Sequence, residues 1–80
     1  MNLYLLSQDD RRGYDTYDSV VVAAESEAEA RLITPGFRGF DDSWRSSDWA
    51  RAPELVAVEL IGVAVPGTEA GVILSSFNAG

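Results

Sequence analysis

The chain has no cysteine, no histidine and no lysine. Lack of cysteine excludes disulfides, thiolate metal sites and thiol nucleophiles together. Lack of histidine removes the commonest general base and the commonest transition-metal ligand. Every positive side chain is therefore an arginine, and 6 of them face 13 acids for a formal charge of -7. No apolar run approaches the roughly 20 residues that a membrane-spanning helix requires. The start, Met1-Asn2-Leu3-Tyr4, lacks the basic region and small-residue cleavage site of a secretory signal. These absences predict a cytoplasmic protein, with no membrane association, that is stabilised by packing alone.

What is present points to a folded domain. Hydrophobic residues make up 46% and charged residues 24% of the 80 positions, close to globular averages, so the acidity does not by itself imply disorder. A chain of this length buries about 60 to 65% of its unfolded surface, which limits it to one core of two layers. Residues 1–80 are read as a single domain.

The pattern along the chain predicts a small set of elements. Residues 2–8 place Leu3 and Leu5 on one face and Tyr4 and Leu6 on the other, a strand apolar on both sides. Asp9, Asp10, Arg11, Arg12 and Gly13 supply a turn, and 14–25 carries the β-branched run Val20-Val21-Val22, so the two strands form a hairpin. Ser26 with Glu29 fits a capping box, and Ala28 with Leu32 makes an apolar i, i+4 pair, predicting a helix over 27–33. Residues 54–65 read as a central strand, with Val56, Val58 and Leu60 opposite Leu55, Ala57, Ile61 and Val63. After Pro66-Gly67, 71–77 reads as a last strand; a helix from Thr68 is the competing reading, which the β-branched pair and the glycine disfavour. Between helix and third strand lies a long aromatic connection, for which a helical turn is expected near 46–51. The fold class is α+β: a four-stranded, mostly antiparallel sheet with one helix on a face.

Charge is the strongest chemical signal. The 34–51 segment balances its acids with arginines, so the negative surplus belongs to the hairpin, the helix and the later strands. Such a surface repels phosphates, which disfavours direct nucleic-acid binding and favours a basic protein partner. Asp9, Asp10, Asp15 and Asp18 bracket the first turn, either as a carboxylate patch for such a partner or as ordinary solvated turn residues. Glu25, Glu27 and Glu29 complement the helix dipole. Glu59 either faces solvent or pairs with Arg31, and the cost of burying a charge favours solvent. The 37–49 segment mixes Phe37, Phe40, Trp44 and Trp49 with arginines, a composition enriched in interface hot spots but equally suited to a lid over the open face of the sheet.

Enzyme readings lack their groups. The turn misses the alternating oxygen ligands of a calcium loop, no glycine-rich phosphate loop or zinc ligand set occurs, and Ser75 and Ser76 have no base beside them in sequence. No cofactor and no metal are expected. A small hydrolase would need a concave pocket with convergent ionisable groups.

Gly13-Tyr14-Asp15-Thr16-Tyr17-Asp18-Ser19, the valine run, the capped Glu-Ala-Glu-Ala-Arg helix, the tryptophan connection, Val58-Glu59-Leu60-Ile61-Gly62 and the ending 71–80 together resemble a family of small phage and prophage proteins. In length and in its alanine-, valine- and arginine-rich composition the chain most resembles anti-CRISPR proteins of the type I-C class. The resemblance implies a non-enzymatic, monomeric inhibitor in the bacterial host cytoplasm that binds subunits of the Cascade complex and excludes target DNA. The DNA-binding surfaces of RNA-guided complexes are lined with lysine and arginine, which suits an acidic occupant. The contact residues expected are Asp9, Asp10, Asp15, Asp18, Asp41 and Asp42, with Trp44 and Trp49 as anchors. The rival reading is a phage protein-protein interaction module, homodimeric through the 37–49 segment.

Overall fold

A short run apolar on both faces makes the first strand, β1 (Asn2–Gln8), and β2 (Thr16–Ala24) returns beside it in antiparallel register. Leu6 faces Val20 and Tyr4 faces Val22 across this hairpin, so one face of the pair is continuously apolar. The computed structural model describes residues 1–10, 13, 15–35 and 49–78. After β2 the helix α1 (Glu27–Leu32) starts at Ser26, whose Oγ accepts from the Glu29 amide at 3.2 Å. Glu27 and Glu29 occupy its first turn and Arg31 its last, each complementing the dipole. A single 3-10 turn (Pro53–Leu55) leads into β3 (Val56–Val63), and β4 (Gly71–Asn78) completes the sheet.

The strand order is β3-β1-β2-β4, antiparallel throughout. The α+β architecture with one helix on the sheet is therefore observed. The third strand is not central, however: β3 and β4 are the two edges, and the hairpin forms the middle. Apolar residues on both faces of 54–65 suggested double burial, but Leu60, Ile61 and Val63 are exposed. Of the stretch where a helical turn is expected, the described residues 49–51 are not helical; a 3-10 turn occurs at Pro53–Leu55, where proline opens it. Residues 46–48 lie outside the described residues.

The core lies between the sheet and α1. Tyr4 and Leu6 of β1, Val20, Val22 and Ala24 of β2, and Val56 of β3 meet Ala30 and Ile33 with Trp49 and Ala50. Trp49 is the largest fully buried side chain among the described residues, at 0% exposure. The opposite face is apolar as well: Ala23 is fully buried while Leu3, Leu5 and Val21 are half-buried. No helix among the described residues is long and apolar enough to cross a membrane.

Arg31 ties helix to sheet. Its Nη1 donates to the Pro53 carbonyl at 3.3 Å, which also accepts from the Val56 amide, and to the Val56 carbonyl at the start of β3, so one charged group from α1 clamps the 3-10 turn to the strand it leads into. This, rather than pairing with Glu59, is how Arg31 is used, and Glu59 stays exposed. Hydrogen bonds to a charged group contribute about 1.5 to 3 kcal/mol. Arg31→Met is therefore expected to lower the urea midpoint by a corresponding amount with an unchanged slope. An unaltered midpoint would show that solvent serves those carbonyls equally well.

Candidate functional site

The register collects several acids at one end of the sheet. Residue Gln8 at the end of β1 pairs with Val56 at the start of β3, and Thr16 at the start of β2 pairs with Asn78 at the end of β4. The connection carrying Asp9, Asp10 and Asp15 therefore sits at the same end as Asp18 and as Glu54 of the 3-10 turn. Asp9, Asp15, Asp18 and Glu54 are all exposed there. The remaining described glutamates lie elsewhere, with Glu25, Glu27 and Glu29 beyond the other end of β2, Glu59 midway along β3 and Glu69 before β4.

Local backbone irregularities present two of these carboxylates. Asp15 has φ 60, the left-handed conformation that Asp and Asn tolerate better than other side-chain-bearing residues. The turn beneath it is anchored by buried Thr16, whose Oγ1 donates to the Gly13 carbonyl at 2.8 Å, and Gly13 itself has φ 107. Asp18 is the extra residue of a β-bulge: Tyr17 pairs with Phe77 and Ser19 with Ser76, leaving Asp18 opposite no single partner on β4. Bulges twist a strand and re-aim a side chain. Either side of it the frame is firm. Gln8 Nε2 donates to the Tyr17 carbonyl at 2.8 Å, and the Tyr17 and Phe77 rings pack with centroids 4.7 Å apart and planes tilted by 55°; such a pair adds about 0.5 to 1.5 kcal/mol beyond its buried area.

Asp10 plays a different part. Its Oδ2 accepts from the Arg51 backbone amide at 3.0 Å and lies 3.3 Å from Arg51 Nε. It links the hairpin to the segment entering the 3-10 turn and is committed within the molecule. Trp49 needs a correction: it is a core residue with no exposed surface and cannot serve as an anchor on a partner. Its Nε1 is buried and without a hydrogen-bond partner, consistent with a ring held for its bulk. An aromatic-rich linker did not distinguish surface from core, because Trp is equally suited to both. Asp41, Asp42 and Trp44 lie outside the described residues, as do Arg11, Arg12 and the rest of 37–48.

Beside the acidic end, Ser7, Gln8, Asp9, Leu55 and Ala57 line a shallow open hollow. Among the described residues no three acids converge where they could share a cation. Among the described residues the arrangement is a group of exposed carboxylates at one end of the sheet, suited to contact with a positive surface. Sequence reasoning found Asp9, Asp15 and Asp18 from composition and missed Glu54, which joins them only through the β1–β3 register.

The left-handed backbone at position 15 separates charge from conformation. Asp15→Asn is expected to remove the charge with stability unchanged within about 0.5 kcal/mol, and Asp15→Gly to be neutral or slightly stabilising, whereas Asp15→Lys should cost about 1 to 2 kcal/mol. Thermal melts of the three variants check this; equal melting of the Lys and Gly variants would place Asp15 in an unstrained conformation.

Compared with known proteins, the chain matches no family profile, no curated protein and no solved structure at a significant level.

Proposed function

We propose that this protein is a non-enzymatic binding protein that docks its acidic hairpin end on a cationic, nucleic-acid-binding surface of a partner and keeps the nucleic acid off. The observation that carries the reading is the gathering of exposed Asp9, Asp15, Asp18 and Glu54 at one end of the sheet. Carboxylates gathered at one end of a sheet can occupy positions where phosphates would otherwise meet lysine and arginine, by the same electrostatics that draws nucleic acid to such surfaces.

The specific partner we propose is the type I-C Cascade complex of a bacterial host, with the chain a phage-encoded anti-CRISPR inhibitor. Support for this finer reading comes from the sequence resemblance and from the basic DNA channel that RNA-guided complexes require. The test is co-purification with type I-C Cascade, followed by target-DNA binding with the protein absent and in stoichiometric amount. Retention on the complex together with loss of DNA binding is the expected result. Retention without any effect on DNA binding would leave a binding module that does not occlude the channel. No retention would remove Cascade as the partner.

A further inference from the structure

The outer edge of β4 is a second feature of the surface, which adjoins the acidic end where the strand finishes. Sheet edges present unpaired backbone amides and carbonyls that another strand can complete, and natural proteins shield them with charges, proline or coverage. The edge strand β3 carries the charge of Glu59 in its middle. The eight residues of β4, by contrast, contain no charged residue and no proline. Val72, Ile73, Leu74 and Phe77 on it are 42%, 51%, 68% and 46% exposed. Among the described residues no strand pairs with its outer side, so the strand offers apolar side chains alongside that backbone edge.

Charge brackets this strand without entering it. Glu69 is exposed just before Gly71, and at the other end the Thr16–Asn78 pairing brings the strand beside exposed Asp15 and Asp18. We infer that β4 is a docking edge for an extended segment of a partner protein, apolar in its middle and basic at both ends, which adds to the sheet as a fifth strand. Main-chain hydrogen bonds supply affinity in this mode, and alternate side chains with the flanking charges supply selectivity. A second copy of this chain fits the same edge less well. Antiparallel β4-to-β4 pairing would bring Glu69 of one copy toward Asp15 and Asp18 of the other, between molecules that each carry a charge of -7. The inference is independent of whether the acidic end displaces a nucleic acid.

The probe is a synthetic peptide of four Val-Thr repeats with two lysines at each end, titrated into isotopically labelled protein while backbone amides and their hydrogen exchange are followed. Shifts and new exchange protection are expected along β4, with β3 unaffected. The double variant Glu69→Gln/Asp18→Asn should bind about tenfold more weakly, at roughly threefold per exposed charge. Replacing the peptide lysines by glutamates should abolish binding. Leu74→Lys, at a largely exposed position, should also block binding while keeping the spectrum of the folded protein; if it unfolds the chain, the flank variant and the glutamate peptide still decide. Three results would overturn the inference: no protection of β4 by the lysine peptide, equal binding of the glutamate peptide, or concentration-dependent protection of β4 without peptide, which would assign the edge to a second copy.

Discussion

Trp49→Ala is expected to abolish cooperative unfolding. Trp49 is fully buried in the cluster that joins β1, β2 and β3 to α1, and truncating a buried tryptophan to alanine costs about 3 to 5 kcal/mol. A domain of this size has only about 3 to 5 kcal/mol from its core to lose, so the variant should be largely unfolded at 25 °C, with near-ultraviolet dichroism lost and no thermal transition. Trp49→Phe should be far milder. The indole Nε1 has no hydrogen-bond partner, so replacing the ring by one without a donor sacrifices bulk but no bond, and removes a buried polar group that costs about 1 to 3 kcal/mol to leave unsatisfied. A folded, cooperatively melting alanine variant would mean that the cavity collapses with little penalty and that Trp49 is not a keystone of the core.

The second large effect concerns recognition. Combining Asp15→Asn, Asp18→Lys and Glu54→Lys changes the charge of the acidic end by five units without touching the core and without imposing lysine on the left-handed backbone at position 15. Association with a cationic partner such as Cascade should slow by about 10- to 100-fold at low salt, because charge complementarity acts chiefly on the encounter rate. For the unmodified protein, raising ionic strength from about 0.05 to 0.5 M should slow association more than it speeds dissociation, as the screening length shortens. Retained inhibition and an unchanged association rate in the folded variant would separate the acidic end from function. Because the triple variant alters Asp18, its effect is compared with that of Glu69→Gln alone, which lies away from the hairpin end.

Local rules carried much of the reading. A short run apolar on both faces located β1 over its full length, and the Ser26 hydroxyl with Glu29 marked the start of α1 where the bond is found. Glycine, proline and β-branched residues marked the turns and β4. The candidate site was legible only in composition. That Asp15 and Asp18 would be acids on the surface followed from the turn residues around them, but the bulge that presents Asp18 depends on pairing with β4.

What the sequence by itself determined is therefore the identity of the elements, the hairpin, the capped helix and the negative sign of the surface, since alternation, capping and charge act between residues a few positions apart. Tertiary structure alone decided that β3 is an edge rather than a centre, that Trp49 belongs to the core, that Arg31 holds the carbonyls of Pro53 and Val56, and that Glu54 joins the hairpin acids. Each of these depends on which segments far apart in the chain come to lie together. An apolar stripe favours burial without specifying its neighbour, and the neighbour is chosen by the packing of the whole sheet.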